Sequence, residues 1–295
     1  MDTVFHSGFI TIVGRPNSGK STLMNALVGE KVAIVSEKPQ TTRNKILGVV
    51  THEHDQMVFV DTPGIHHPRT KLGTCMMQSV RDAMDGMDCL MVLSDVSRFG
   101  DEDLRFIQEM DRGSIPRLLI LNKTDLIDRE RLLEIMGRTA ELQYTEIIPI
   151  SAKTGDGLDD LTRTIASNLP EGPKYFPDDT MTDQPERLLV AEIIREKALI
   201  HLRDEVPHGI GVEILAMTRL RESLMEIHAN IYCERSAHKG IIIGKHGKML
   251  QTLGTEARAD IERLLGEHVS LKLWVKVRED WRNRPEDLKN LGYTD

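Results

Sequence analysis

Gly14-Arg15-Pro16-Asn17-Ser18-Gly19-Lys20-Ser21 is the stretch that decides the fold of this chain. The apolar run Phe9-Ile10-Thr11-Ile12-Val13 before it reads as a buried strand, and Thr22-Leu23-Met24-Asn25-Ala26-Leu27 after it has helical spacing. A glycine-rich turn between strand and helix can curl until successive backbone N–H groups point inward. The start of the helix adds positive partial charge, so the loop is suited to hold an anion. Lys20 is expected to reach the β and γ phosphates of a nucleoside triphosphate, and the Ser21 hydroxyl to ligate Mg²⁺. Gly14, Asn17, Ser18, Gly19 and Thr22 complete the candidate cradle.

Outward from this loop, composition sets the limits. With 295 residues the chain exceeds a usual single core, so two domains are expected. No apolar run approaches membrane-spanning length and the first residues lack a basic leader, which predicts neither secretion nor insertion. Cys75, Cys89 and Cys233 are too scattered to suggest a metal site and read as reduced thiols in a cytosolic protein. The net charge of −8 lies entirely in residues 1–185, because residues 186–295 carry 18 acidic and 18 basic side chains. Overall acidity argues against a broad nucleic-acid surface but leaves room for a local basic patch in the balanced part.

Apolar runs at 46–50, 57–60, 89–93, 118–121 and 147–150, separated by helical stretches, predict an α/β domain with a mostly parallel sheet of about six strands. The polar segment 35–45 has neither periodicity and is long for a structural connection. It carries Gln40-Thr41-Thr42-Arg43, and Thr42 is favoured over Thr41 as a second hydroxyl for Mg²⁺. Asp61-Thr62-Pro63-Gly64 ends a strand; Asp61 is placed to hold Mg²⁺ through water, and Gly64 to offer its N–H to the γ phosphate.

Asn122-Lys123-Thr124-Asp125 and Ser151-Ala152-Lys153 each follow a strand, at the sheet end where open α/β folds bind ligands. The Asp125 carboxylate can accept from the paired N–H donors of guanine, which adenine lacks. Asn122 and Lys123 would brace that pocket, and the Ala152 N–H can meet the guanine O6. In this order the elements resemble the GTPase motif set of the translation-factor class, over roughly residues 8–169. Ile65 stands where related GTPases carry a water-orienting glutamine, which predicts slow intrinsic turnover. In GTPases resembling this one an asparagine at the position of Asn17 can ligate K⁺; a turn-forming asparagine is the equal alternative.

Periodicity stops over 170–184, a Pro- and Asp-rich linker whose Tyr175 and Phe176 suggest some docking. Beyond it the order helix, strand, strand, helix, helix, strand, with Gly244-Lys245-His246-Gly247 between the last two helices, resembles a KH domain of the second topological type. In that module the GxxG turn clamps about four nucleotides of single-stranded RNA. Three isoleucines, Ile241 to Ile243, are expected to serve its core. The predicted division is 1–169 for the P-loop GTPase domain, 170–184 for the linker and 185–295 for a smaller α+β KH domain with its tail.

Taken together, the whole chain resembles the Era GTPases. The segments from Tyr175-Phe176-Pro177 to Lys197, Leu273-Trp274-Val275-Lys276-Val277 and Leu291-Gly292-Tyr293 carry the family's signature. Ser18 in place of a usual valine, and Ser94-Asp95, depart from it. The resemblance implies GTP and GDP as ligands and a role in maturing the small ribosomal subunit. It implies that the KH domain grips the single-stranded 3′ end of small-subunit rRNA and that the protein often associates with the inner membrane surface; a cytoplasmic monomer is the default expectation. Two competing readings are a nucleotide-gated RNA binder with incidental hydrolysis, and a membrane-surface GTPase using Arg278, Arg282 and Arg284.

Overall fold

A computed structural model describes residues 4–36, 38, 41–65, 68–111 and 113–293. Gln40 of the polar segment lies outside the described residues. The chain divides into two units: Met1–Ala33, Thr42–His66 and Met77–Asp183 form the first, and Ile34–Thr41, His67–Met76 and Gln184–Asp295 the second.

In the first unit β1 (His6–Gly14) runs into the phosphate loop and α1 (Lys20–Val28). Next come β2 (Ile46–Thr51) and β3 (Asp55–Asp61), then α2 (Lys71–Met84), which straddles the unit boundary. The rest alternates: β4 (Cys89–Asp95), α3 (Asp101–Met110), β5 (Arg117–Asn122), α4 (Arg129–Thr139), β6 (Glu146–Ile150) and α5 (Leu158–Asn168). The strands form a six-stranded sheet in the order β2-β3-β1-β4-β5-β6, parallel except for β2, which returns antiparallel to β3. The inner strands are covered on both faces, which is why they read as continuous apolar runs. Because the connections from β1 reverse direction at β3 and β4, the loops after β1 and β3 open at one crevice beyond the strand ends.

The linker is held to this unit. Gln56 on β3 accepts from the backbone N–H of Tyr175 and Phe176 through Oε1 (2.8 and 3.0 Å) and donates through Nε2 to the Phe176 carbonyl (2.9 Å). Tyr175 lies 5.1 Å from the Phe9 ring, and Val49 of edge strand β2 donates to the Met181 carbonyl.

The second unit holds α6 (Glu186–His201), β7 (Gly211–Arg221), β8 (Leu224–Cys233), α7 (Ser236–Ile243), α8 (Lys248–Leu265), β9 (His268–Val277) and α9 (Pro285–Asn290). Its sheet runs β7-β8-β9, with β7 antiparallel and β9 parallel to β8. This is the expected type II KH topology. One sheet face packs Ile227, Ala229, Ile231, Val269 and Val275 against the helices. Against part of the other face, Trp281, Leu288 and Leu291 of the tail pack with Tyr232 and with Leu72 and Met76 from α2. The residues taken in from 34–41 are bonded to α6: the Val35 N–H donates to Glu196 (2.9 Å), and the buried Arg195 donates to the Thr41 carbonyl.

Candidate functional site

The phosphate loop leaves β1 and turns through two left-handed residues, Asn17 (φ 65°) and Gly19 (φ 100°), before α1 begins. Glycine is required at two places for space as well. A Cβ on Gly14 would lie 2.6 Å from the Leu93 carbonyl oxygen, and one on Gly19 2.3 Å from Asn122 Nδ2. Lys20 folds back under the loop, its Nζ donating to the carbonyls of Gly14 (3.1 Å) and Arg15 (3.3 Å). Burial pushes its pKa down, opposed by the nearby Asp61. Thr22 sits half-buried in the first turn of α1.

Ser21, Thr42 and Asp61 meet at one point. Ser21 Oγ donates to Asp61 Oδ2 (2.6 Å) and lies 2.8 Å from Thr42 Oγ1, which is itself 3.3 Å from the same carboxylate oxygen. Thr41 turns the other way and donates to the Lys38 carbonyl (2.6 Å). Burial raises the Asp61 pKa, opposed by Lys20, the two hydroxyls and the Thr62 N–H. Its second oxygen, Oδ1, is buried and has no hydrogen-bond partner among the described residues. Two hydroxyls and a carboxylate with spare acceptor capacity suit Mg²⁺, which takes few protein oxygens and shares its shell with phosphates and water. Gly64 lies against Pro16 of the phosphate loop, where a Cβ would come within 3.1 Å of the Pro16 backbone. Ile65 packs into the apolar layer around Val13 and Val92.

At the ends of β5 and β6 the base pocket is assembled by one side chain. Asn122 Nδ2 donates to the Ser18 carbonyl (2.9 Å), while its Oδ1 accepts from the Ala152 N–H (3.0 Å), tying the three loops together. The Ala152 N–H, expected to face the guanine O6, is therefore already engaged. Lys123, itself left-handed (φ 70°), donates to the Asn17 carbonyl (2.9 Å) and pairs with Asp95 (2.6 Å). Asp125 is exposed, and its Oδ1 accepts from Ser151 Oγ (2.7 Å). Lys153 is exposed, with no hydrogen bond or ion pair among the described residues. Sequence reasoning missed the role of Asp95 as the partner of Lys123; its place at a strand end beside the other motif-bearing strands was the available signal.

In the second unit, Gly244 (φ 72°) ends α7 and Gly247 (φ 76°) starts α8, with His246 also left-handed between them. A Cβ on Gly244 would strike Met249, 2.6 Å from its Cβ, whereas Gly247 faces open space. Lys245 and His246 are exposed. From this turn a groove of about 460 Å³ runs between α8 and β9, lined by Leu250, Gly254, Arg258, Leu271 and Leu273 among others. Of the three isoleucines before the turn only Ile242 is fully buried, and Ile241 is half exposed. Consecutive helical positions point about 100° apart, so three in a row cannot all face one core.

The arginines named for a membrane surface have these surroundings in the structure. Arg278 pairs with Asp287 (3.0 Å) and lies over the Tyr232 ring, and Arg282 makes two bonds to Glu234 (2.9 and 2.6 Å). Arg278 and Arg282 are thus each paired with a carboxylate yet partly exposed, and Arg284 is exposed. No helix among the described residues is long and apolar enough to cross a membrane.

A phosphate loop after β1, a cluster of two hydroxyls and a carboxylate at the end of β3 and an Asn-Lys-Thr-Asp turn after β5 have the arrangement of a P-loop GTPase, here followed by a KH module. Family models agree: one described as "50S ribosome-binding GTPase" matches residues 9–123 and one described as "KH domain" matches 205–282. The GTPase Era of Alkaliphilus metalliredigens is 52% identical over 98% of this chain and 99% of its own, and that of Clostridioides difficile 50% over 99% and 100%. Among solved structures, Era in complex with MgGDPNP and nucleotides 1506–1542 of 16S ribosomal RNA superposes with a TM-score of 0.91 at 39% identity, covering 99% of this chain and 100% of that one. A variant of Aquifex aeolicus Era bound to GDP and AlF₄⁻ gives 0.90 at 40% identity, over 99% and 100% of the two chains. The chain belongs to the GTPase Era family.

Proposed function

We propose that this GTPase acts in assembly of the small ribosomal subunit, gripping the 3′ end of 16S rRNA in its KH groove under control of the bound nucleotide. The observation that carries the reading is the GxxG turn at the mouth of the groove. Gly247 leaves room for a sugar-phosphate backbone and Lys245 and His246 supply donors. It is supported by the relative, matched over 99% of this chain and 100% of its own, whose complex holds nucleotides 1506–1542 of that RNA. One family model is described by the 50S subunit, but it spans only residues 9–123, which hold the phosphate loop and the Ser21, Thr42 and Asp61 cluster, and does not include the RNA grip.

In this reading Lys20 balances charge on the β and γ phosphates, and Gly64 offers its N–H to the γ phosphate. Ser21 and Thr42 would hold Mg²⁺ directly and Asp61 through water; the ion would neutralise charge developing across the phosphates. Asp125 accepts from guanine, braced by Ser151, while Asn122 and Lys123 fix the loops. With guanine bound, the Ala152 N–H would be shared between Asn122 and O6, and the exposed Lys153 follows it in the chain. Ile65, packed in the core, cannot align water, so turnover is slow without a further element. Asn17 is the candidate K⁺ ligand, and equal hydrolysis rates in K⁺ and Na⁺ would leave it as a turn residue. The protein is read as a cytoplasmic monomer with peripheral membrane association, which liposome flotation tests.

The deciding experiment measures binding of an RNA spanning the 3′ segment to the wild type and to Lys245→Asp with His246→Asp. The variant should bind GTP normally and lose the RNA, together with any RNA-stimulated turnover. Unchanged RNA affinity in the variant would overturn the assignment.

A further inference from the structure

The KH sheet has a second face. Successive β9 residues alternate sides, so Leu271 and Leu273 line the groove beside α8 while Lys272, Trp274 and Lys276 stand on the opposite face. There they meet even-numbered β8 residues: His228 is opposite Lys272, Asn230 opposite Trp274 and Tyr232 opposite Lys276. The tail packs on Tyr232 at one end of this face, where the neighbouring Lys276 stays exposed, and no tail residue packs on the other end in that cluster. Trp274 is 43% exposed there, its ring propped edge-on by His228 at 5.3 Å and 78°. Beside it on β7 and β8, Ala216 is opposite His228, Thr218 opposite Glu226, and Glu213 opposite Asn230, where Glu213 accepts from the Tyr232 hydroxyl (2.5 Å).

Charge and continuity identify what fits. Lys272 and Lys276 flank Trp274 at two residues on either side, each about 6.6 Å along the strand. Lys272 pairs with Glu226 (2.6 Å), and Lys276 makes no ion pair among the described residues. Alternating cations and an aromatic plane match a single strand, whose phosphates and bases alternate in the same way. β9 is an edge strand, so its outer side is the border between this face and the groove. We propose that the open sheet face is a second RNA-contacting surface: single-stranded RNA leaving the groove crosses β9, stacks a base on Trp274 and sets phosphates against Lys272 and Lys276. The proposal rests on the KH groove holding RNA.

The test uses the full chain and single-stranded RNAs cut from the 3′ segment of 16S rRNA, four nucleotides long to fill the groove alone and twelve long to reach beyond it. The chain has two tryptophans, and Trp281 is fully buried with its indole N–H donating to the Gly209 carbonyl (2.9 Å). Quenching of tryptophan emission therefore reports on Trp274. The twelve-mers that pass over β9 should quench it and the four-mers should not. Trp274→Ala should weaken those twelve-mers about 5- to 150-fold and leave the four-mers unchanged, with Trp274→Phe between. Lys276→Gln should lower the slope of log affinity against log salt by about 0.7 for the twelve-mers alone. Twelve-mers that bind Trp274→Ala as they bind the wild type, without quenching, overturn the proposal. If that variant instead loses self-association in sedimentation while keeping its RNA affinity, the face belongs to a second copy of the chain. Four-mers that fail to bind the wild type, or that bind Lys245→Asp with His246→Asp equally well, bring down the groove assignment itself, a failure separate from that of the sheet face.

Discussion

Ser18 places a hydroxyl inside the phosphate loop where its relatives are expected to carry a valine, and the side chain is buried with no hydrogen-bond partner among the described residues. A hydroxyl left in that state forfeits its solvation without return. Ser18→Ala is therefore expected to raise stability, by up to about 1–3 kcal/mol, with GTP affinity unchanged because the loop acts through its backbone; urea unfolding with and without nucleotide checks both halves. Asp125 gives the opposite case, a charge that only the right base satisfies. Asp125→Asn should cost at least about tenfold in GTP affinity and gain xanthosine triphosphate, and an affinity for GTP within twofold of wild type would break the pocket assignment. Both residues were visible in the sequence because their chemistry is local to a motif. The Asp95–Lys123 pair was not, since 28 residues separate its members and only strand order brings them together.

At the scale of elements, the linker over 170–184 shows what periodicity cannot deliver. The strands of the first unit were readable because burial on both faces writes itself into composition, and the KH helices because amphipathic spacing does. The linker has no such pattern: its order comes from one side chain, Gln56, which satisfies three backbone groups about 120 positions away. Gln56→Ala would leave those groups unpaired at a cost of about 1–3 kcal/mol and loosen the segment. Limited proteolysis should then cut within 173–180 much faster than in the wild type while the strands on either side stay resistant. Equal cutting rates would assign the linker's order to the Tyr175–Phe9 contact instead.

For the whole molecule, linkage sets the sharpest requirement. If the GTP-bound form grips RNA more tightly than the GDP-bound form by some factor, RNA must favour GTP over GDP by that same factor. RNA titrations with a GTP analogue, with GDP and without nucleotide measure one side of this equality, and nucleotide titrations with and without RNA the other. Identical RNA affinity in all three states would leave two activities merely joined by a chain. The sequence suggested a division at the linker, yet the second unit also takes in Ile34–Thr41 and His67–Met76, which no local pattern marks as belonging to it. Leu72 and Met76 are 2% and 1% exposed beside Trp281, Leu288 and Leu291, and the Lys71 N–H donates to Asn283 (3.0 Å). A gene fragment encoding residues 185–295 would thus specify a KH fold missing two of its own side chains, poorer by about 3–6 kcal/mol of burial, and thermal unfolding of that fragment should show the deficit. Exchange of either half would keep this cluster only where the incoming residues pack as Leu72 and Met76 do against Trp281, Leu288 and Leu291. A chimera joining the first half of this chain to a distant relative's second half therefore has to carry a tail that accepts Leu72 and Met76.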